Sequence, residues 1–258
     1  MNENILKTKI KEKYAKIARS GNSESCCSPE CCSSSDFDPK DSSFAVGYDQ
    51  IELESIPESA NLGLGCGAPL NFSNLKEGET VVDLGSGAGI DLFLASKHVG
   101  NKGKVIGIDF TDDMLSRARD ASSKYGFINT DFRKADIEKR IPVEDNTVDA
   151  VISNCVINLT SDKVRTFKEI YRILKKEGKG RMIISDLVTS KEVRLDDINA
   201  EKWSSCIDGA LTRENYIKAI KQAGFEDIKV LNEQEYIPEY KTDGRTIVSL
   251  VIGAVTRK

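Results

Sequence analysis

The stretch from residue 80 to residue 91, TVVDLGSGAGID, limits the possible folds of this chain more than any other segment. Its apolar residues up to Leu84 predict a short buried strand. Three glycines follow at alternate positions: Gly85, Gly87 and Gly89. Helical spacing of the apolar residues then predicts a helix over 90–99. A strand, a glycine turn and a helix in this order predict the first unit of a doubly wound α/β sheet, with a ligand at the carboxyl end of the strand.

The glycine spacing and two acidic residues narrow the type of ligand. A dinucleotide fingerprint, Gly-x-Gly-x-x-Gly, requires glycine at position 90, and this chain has Ile90 there. Asp83 directly precedes the turn, where a carboxylate repels a pyrophosphate but attracts a cationic amino group. Asp109 ends the next predicted strand, about 20 residues after the turn, where an acid binds ribose hydroxyls. The alternative is a tight turn that binds nothing.

Composition limits the class of protein and its compartment. The chain has 258 residues, enough for a catalytic domain with appended segments. Its net charge of −4, without a long basic run, disfavours a nucleic-acid partner. No apolar stretch reaches the length of a membrane span, and the polar segment 1–10 is unlike a secretory signal. We therefore expect a cytoplasmic protein.

Cysteine and histidine usage indicates the kind of chemistry. In a reducing compartment the seven cysteines indicate metal, metalloid or redox chemistry rather than a disulfide framework. The one histidine, His98, lies at the end of the predicted helix 90–99. A Ser–His or Cys–His catalytic arrangement within the chain would have to include it.

The N-terminal region combines a predicted helix with a cysteine-rich loop. Apolar residues at helical spacing predict an amphipathic helix over 4–19. The serine-rich segment 21–43 predicts a flexible loop. It contains two adjacent cysteine pairs: Cys26, Cys27, Cys31 and Cys32. Clustered thiolates favour a role with a soft ion or in redox chemistry, and a thiol-rich tail without a function is the alternative.

The remaining segments predict an alternation of strands and helices typical of a doubly wound sheet. Thr111 is predicted to cap a helix, and Thr212 is predicted to cap another that stops at Gly224. The connection 189–211 is too long for a simple link. Further strands are predicted over 131–137, 148–155, 181–188, 225–231 and 246–255.

Three further cysteines fall where loops meet one end of the predicted sheet. Cys66 lies in the glycine-rich turn 62–69, Cys155 ends the fourth predicted strand, and Cys206 lies in the long connection. Each one alone is compatible with an ordinary structural thiol. Three thiolates that converge on one point match the preference of a soft centre.

These motifs together resemble the arsenite methyltransferases, within the class I S-adenosylmethionine methyltransferases. The resemblance rests on the glycine turn with its two acids and on four cysteine motifs: CCSPECC, GLGCGAP, SNCVINL and SSCIDGAL. It implies an α/β, Rossmann-like doubly wound sheet with an N-terminal helix and loop and a smaller C-terminal arsenic-binding extension. It also implies a set of residues that bind S-adenosylmethionine: Tyr48, Asp83, Gly85, Gly87, Gly89, Asp109, Phe110, Met114, Asp136, Ile137 and Asn154.

The same resemblance implies roles for the cysteines. Cys155 and Cys206 bind trivalent arsenic, supplied as arsenite or methylarsenite. Cys66 serves as a third ligand and as part of a disulfide relay, with Cys32, or alternatively Cys31, as its partner. A thiol reductant of the thioredoxin or glutathione type returns the relay to its starting state. The implied division is 1–43 for the N-terminal helix and loop, 44–188 for the cofactor domain and 189–258 for the acceptor segment and closing strands.

Two other classes of function remain as alternatives. A carbon or nitrogen methyltransferase for a quinone, a sterol or an amine explains the cofactor motif but not the cysteines. A thiol-rich binding or sensor protein with an inactive cofactor fold explains the cysteines, but Asp83 and Asp109 argue against it.

Overall fold

The computed structural model describes residues 3–20, 38–236, 242 and 244–257. Cys26, Cys27, Cys31 and Cys32 lie outside the described residues, together with most of the predicted loop 21–43. The helices are α1 Glu3–Ser20, α2 Pro39–Ala45, α3 Gln50–Glu54, α4 Ile90–Val99, α5 Asp112–Tyr125, α6 Lys163–Ile173, α7 Ala200–Ser204 and α8 Arg213–Gln222. The strands are β1 Thr80–Leu84, β2 Lys104–Asp109, β3 Thr130–Lys134, β4 Ala150–Asn154, β5 Arg181–Thr189, β6 Phe225–Tyr236 and β7 Ile247–Thr256.

The strands form one sheet, in which the order is β3-β2-β1-β4-β5-β7-β6. β1 to β5 pair in parallel, and β7 runs antiparallel between β5 and β6. The chain leaves β1 toward β2 on one side and returns to β4 on the other. This reversal opens a crevice at the carboxyl ends of β1 and β4, where doubly wound sheets bind their ligands.

Both faces of the sheet are covered by apolar layers, because successive strand residues point to opposite faces. Val81 packs with Phe93 of α4 on one face. Val82 packs with Phe167 of α6 on the other. All four side chains are fully buried. Burial on both faces explains why β1 has a nearly continuous apolar sequence.

Helix α1 packs against α5 and α7. Ile17 packs in one apolar cluster with Met114 of α5, and Ile10 packs in another with Trp203 of α7. The amphipathic helix predicted over 4–19 therefore forms, with its apolar side against two separate parts of the chain. Among the described residues, no helix is both long and apolar enough to cross a bilayer.

Several predicted boundaries are wrong, each for a local reason. The loop predicted over 21–43 is helical from Pro39, since the Asp38 side chain accepts a hydrogen bond from the backbone N–H of Lys40 and proline fits the first helical turn. Thr111 occupies the position before α5, but its side chain makes no capping bond. Thr212 does cap α8, by accepting from the backbone N–H of Asn215.

Strand ends also differ from the prediction at three places. β3 ends at Lys134, so Asp136 lies beyond the strand rather than at its end. β4 ends at Asn154, so Cys155 is the first residue of the following loop. β6 runs on to Tyr236 although its residues beyond Leu231 are mostly exposed and polar, because backbone pairing with β7 extends that far.

Candidate active site

A cavity opens at the carboxyl ends of β1, β2 and β4, with about 1150 Å³ of empty space including its mouth. Ten of the residues predicted to bind the cofactor line it: Tyr48, Asp83, Gly85, Gly87, Asp109, Phe110, Met114, Asp136, Ile137 and Asn154. Helix α1 adds Lys7, Ile10 and Tyr14 to the lining.

The glycines of the turn differ in what they do. Gly87 has a φ of 52°, and a Cβ placed there would meet no protein atom closer than 4.0 Å, so the cavity side of this residue is open to a ligand. Gly89 is not among the lining residues. It precedes α4 with a φ of 104°, and a Cβ there would lie 2.7 Å from the Phe93 ring. Gly89 is therefore required by helix packing.

Asp109 holds the glycine turn in place. Its carboxylate accepts hydrogen bonds from the backbone N–H of Gly87 at 3.0 Å and of Thr111 at 2.8 Å. Burial raises the pKa of Asp109, although these bonds oppose the shift. The carboxylate thus lies in the cavity wall with a fixed orientation.

Asp83 is buried at the bottom of the crevice, and one of its carboxylate oxygens has no hydrogen-bond partner in the described chain. Burial, with the nearby charges of Asp91 and Asp109, raises its pKa well above the usual range. An unpartnered buried carboxylate oxygen is costly unless a ligand satisfies it. A cationic group in the cavity would do so.

A buried polar network beside Asp83 includes Asp91, which the sequence argument did not predict as a site residue. Tyr48 donates its hydroxyl hydrogen to Asp91, 2.9 Å from each carboxylate oxygen. The Asn154 amide nitrogen donates to the Tyr48 hydroxyl at 2.9 Å and to Asp91 at 3.2 Å. Burial raises the pKa of Asp91 to about 6. The sequence did contain a signal for Asp91: it is an acid in the first turn of the helix that follows the glycine turn.

The three predicted thiols of the sheet end do come together. The Cys206 thiol donates to the backbone carbonyl of Cys155 at 2.9 Å. The Cys155 thiol also interacts with the thiols of Cys206 and Cys66, and its sulfur lies within 4.8 Å of the Cys66 sulfur. Cys155 lines the cavity, whereas Cys66 and Cys206 are buried behind it. Cys155 therefore connects the cavity with the other two thiols.

Hydrogen bonds and packing fix the position of Cys66 in its glycine-rich turn. Its backbone N–H donates to the Asn154 side-chain oxygen at 3.1 Å, and its carbonyl accepts from the Ser249 hydroxyl. Gly67 next to it has no room for a side chain, since a Cβ there would collide with the Ser185 hydroxyl. Contacts with β4, β5 and β7 fix this loop, and the loop sequence alone does not contain them.

The surroundings of Cys66 and Cys155 favour neutral thiols, and Cys155 and Cys206 have unusual backbone angles. The hydrogen bonds with Cys206 and Cys66, together with burial, raise the pKa of Cys155 well above its usual range. Burial raises the pKa of Cys66. Cys155 and Cys206 have φ values of 59° and 64°, a region that residues with a Cβ rarely adopt. Such outliers concentrate at functional sites.

The fold and this cavity define a class of protein. A family profile described as a methyltransferase domain matches residues 75–230, and the sheet with its glycine turn is the Rossmann-like fold of class I S-adenosylmethionine-dependent methyltransferases. The predicted fold class is confirmed. The chain belongs to the methyltransferase domain family.

Within that class, the chain is similar to arsenite methyltransferases. It is 38% identical to that of Halobacterium salinarum, covering 95% of this chain and 65% of the relative. It is 37% identical to the arsenite methyltransferase of Mus musculus, covering 69% of this chain and 49% of that relative. A solved arsenic (III) S-adenosylmethionine methyltransferase from Chlamydomonas reinhardtii superposes with a TM-score of 0.64 at 28% identity, covering 85% of this chain and 74% of that one. The chain thus spans less than two thirds of the length of these two curated relatives.

Proposed function

We propose that this chain transfers methyl groups from S-adenosylmethionine to trivalent arsenic held by its thiols, with arsenite and methylarsenite as substrates. Methylated arsenicals and S-adenosylhomocysteine are the products, and the role is arsenic detoxification. The observation that carries the proposal is the position of Cys155, which lines the cavity together with ten of the predicted cofactor residues and interacts with the thiols of Cys66 and Cys206. The similarity to arsenite methyltransferases supports the same substrate.

The residues of the cavity fit S-adenosylmethionine. The unpartnered oxygen of Asp83 suits the ammonium of its methionine part, and Asp109 suits the ribose hydroxyls at the end of β2. Gly87 leaves room for close backbone approach. When bound, this cofactor supplies an electrophilic methyl group on a sulfonium. Asn154 and Tyr48 keep the polar wall between Asp83 and the thiols ordered.

The acceptor chemistry suits the neutral thiols of Cys66 and Cys155. Each arsenic–oxygen bond of arsenite is replaced by an arsenic–sulfur bond, and the thiol proton leaves with the hydroxide as water. No net proton has to be removed by the protein. Burial of Cys66 and Cys206 behind Cys155 excludes water from the product of this exchange, and soft thiolates are the ligands that a soft centre prefers.

Methylation formally oxidises arsenic from the +3 to the +5 state, so two electrons must be returned for a further round. We propose that Cys66 and Cys32 supply them by forming a disulfide, which a thioredoxin or glutathione type of reductant resets. Cys31 is the alternative partner. The reductant requires the reducing cytoplasm. The division into 1–43, 44–188 and 189–258 belongs to the same proposal, with the first segment carrying the relay thiols.

The test uses purified protein with a methyl-labelled cofactor and three acceptors offered in parallel: arsenite, a quinone precursor and a small amine. We expect label in methylated arsenicals from the wild type and none from Cys155→Ser. The serine variant should keep its cofactor affinity, measured by calorimetry, which would show that only the acceptor site was lost. Label in the quinone or the amine instead would support the carbon or nitrogen methyltransferase alternative, for which the buried thiols have no use.

A further inference from the structure

A buried acid lies beside the thiol cluster and has no part in the arsenic chemistry proposed above. Asp186 of β5 is 2% exposed. One ligand atom each from Asp186, Cys66 and Cys155 lie within 4.8 Å of one another. Trivalent arsenic fills its valences with three thiolates and leaves no position for a carboxylate. The position of Asp186 therefore needs a different explanation.

The carboxylate of Asp186 is oriented by its neighbours. It accepts hydrogen bonds from the backbone N–H of Asn158 at 2.9 Å, from that of Leu187 at 3.1 Å and from the Tyr216 hydroxyl at 3.0 Å. Tyr216 is itself fully buried. In protein metal sites, hydrogen bonds of this kind orient the side chains that bind the metal directly.

The charge surroundings also suit an anionic set of ligands. The Lys163 amine is buried in the same region, where it hydrogen-bonds the backbone carbonyl of Thr160 at 3.0 Å and interacts electrostatically with Asp186 and Cys206. Three thiolates and a carboxylate around a divalent cation carry a net charge of −2. A buried ammonium nearby offsets part of that charge.

We propose that Cys66, Cys155, Cys206 and Asp186 form a tetrahedral site for a thiophilic divalent cation of the Zn²⁺ class. Such cations take four ligands from sulfur, nitrogen and oxygen, with zinc–sulfur bonds of about 2.3 Å and hence sulfur–sulfur separations of about 3.8 Å. The ligand atoms of Cys66, Cys155 and Asp186 lie within 4.8 Å of one another and need a closure of about 1 Å. The Cys206 thiol, which donates to the Cys155 carbonyl at 2.9 Å, has to turn toward them. Side-chain rotation supplies both movements.

A cation bound at this site would compete with the arsenic substrate of methylation. Arsenic and the cation use the same three thiols, so their binding is mutually exclusive. The cation uses Asp186 and arsenic does not. A carboxylate variant therefore separates the two ligands: it weakens binding of the cation and leaves binding of arsenic unchanged.

The first experiment loads the full chain with Zn²⁺ alone and measures X-ray absorption. The four N-terminal cysteines are replaced by serine in one sample, because clustered thiols also bind Zn²⁺. We expect one ion per chain in that sample, with three sulfur ligands and one oxygen. A set of four sulfurs, a set dominated by oxygen, or no bound ion would overturn the proposal.

The second experiment compares Asp186→Asn with a control, Asp197→Asn, both in the serine-substituted chain. Asp197 is an exposed acid of the long connection that follows β5. Competition with a chromophoric chelator should show Zn²⁺ affinity reduced by about tenfold or more for Asp186→Asn and unchanged for the control. Arsenite affinity, measured by calorimetry, should be the same in all three. Equal loss for both ligands would make Asp186 a structural residue. No loss for either would remove it from the site. Failure of methylation would leave these binding results unaffected.

Discussion

At the scale of single residues, Asn154 joins the two halves of the site. Its amide nitrogen donates to the carbonyl of Gly67 at 2.7 Å and reaches Tyr48 and Asp91. Its oxygen accepts from the backbone N–H of Cys66. The last residue of β4 thus fixes the polar wall of the cavity and the loop that carries a thiol. A side chain with both donors and an acceptor is required for this, which aspartate or leucine could not provide.

The cofactor assignment is tested at Asp109. Asp109→Ala should weaken S-adenosylmethionine binding at least about tenfold, because losing a charge-assisted hydrogen bond costs roughly 1.5–3 kcal/mol and because the Gly87 N–H loses its acceptor. Calorimetry measures the affinity. Asp120→Ala, on the exposed side of α5, is the matched control. Unchanged affinity in Asp109→Ala would remove this residue from the cofactor site.

The acceptor assignment is tested at Cys155 and Cys206. Methylarsenite has two open valences, so two thiolates are needed in every round of methylation. Cys155→Ser and Cys206→Ser should each abolish methylation of arsenite and of methylarsenite, since a hydroxyl is a harder and far less acidic ligand. A product assay on both substrates measures this. Activity of either variant on either substrate would contradict the assignment.

The raised pKa of Asp91 predicts a pH-dependent stability. Burial raises the pKa of Asp91 from 3.8 to about 6, so the fold prefers the neutral acid. The neutral acid contributes its full stability when the pH is below the pKa of Asp91 in the unfolded chain. This stability is lost as the pH rises through about 6. The Asn side chain does not titrate, so Asp91→Asn avoids this loss. The difference in unfolding free energy between the variant and the wild type should therefore be about 3 kcal/mol more in favour of the variant at pH 8 than at pH 4. Urea titrations without cofactor measure it, and Asp120→Asn should show no such trend.

At the scale of elements, α1 connects the cofactor cavity with the helix before Cys206. Near its N-terminus, Lys7 bonds Asp136 and Glu138, each at 2.8 Å. Further along, Lys13 donates to the Ser205 hydroxyl at 2.7 Å. Burial lowers the pKa of Lys7, but its hydrogen bonds with three acids, which include Glu3, outweigh this and raise it. The ammonium therefore stays charged and holds α1 over the cavity.

Removal of the Lys7 ammonium should destabilise the packing of α1 and also lower the affinity of the cavity for the cofactor. Lys7→Ala leaves Glu138, which is 5% exposed, without its cationic partner, and breaking a buried pair costs more than breaking a surface pair. We expect faster hydrogen exchange over residues 3–20 and weaker S-adenosylmethionine binding. Lys9→Ala, which loses only an exposed pair with Glu12, should change neither. Faster exchange with unchanged affinity would show that α1 does not contribute to the cavity.

The elements that local patterns encode were predictable, and those that depend on distant contacts were not. The glycine turn, α4 and the parallel strands follow from apolar spacing and turn chemistry. The helix at Pro39 lies in a segment with few apolar residues and depends on one cap. The fixed position of Cys66 and the burial of Asp91 depend on contacts with residues 60 or more positions away, such as Asn154 and Ser249. Asp186 is held by Asn158 and Tyr216, 28 and 30 positions away. No pattern within a short window records such contacts.

At the scale of the whole molecule, the site draws on segments from both ends of the chain. Lys7 lies in the first helix, Cys66 precedes the sheet, and the last strand, β7, supplies Ser249 to hold the Cys66 carbonyl. Cys206 enters through the connection after β5. A thiol cluster assembled from such distant segments forms only when the sheet is complete. Oxidation of one of its members therefore affects the whole site rather than a single loop.

The proposed relay between Cys66 and Cys32 follows from this arrangement. Arsenite has three valences and needs the Cys66 thiolate, whereas methylarsenite needs only the other two. Cys66→Ser and Cys32→Ser should therefore lose methylation of arsenite and keep much of their activity on methylarsenite. Without a thiol reductant, the wild type should stop after about one turnover, because the disulfide is not reset.

Product assays on both substrates, with mass mapping of a Cys32–Cys66 disulfide after turnover, measure these outcomes. The Cys66 thiol is buried against Cys155, so the disulfide requires it to leave the cluster, and the oxidised protein should bind arsenite less tightly than the reduced one. Equal loss on both substrates would show a general role for these cysteines. Loss in Cys31→Ser in place of Cys32→Ser would move the partner by one position. Sustained turnover without reductant would contradict the relay itself.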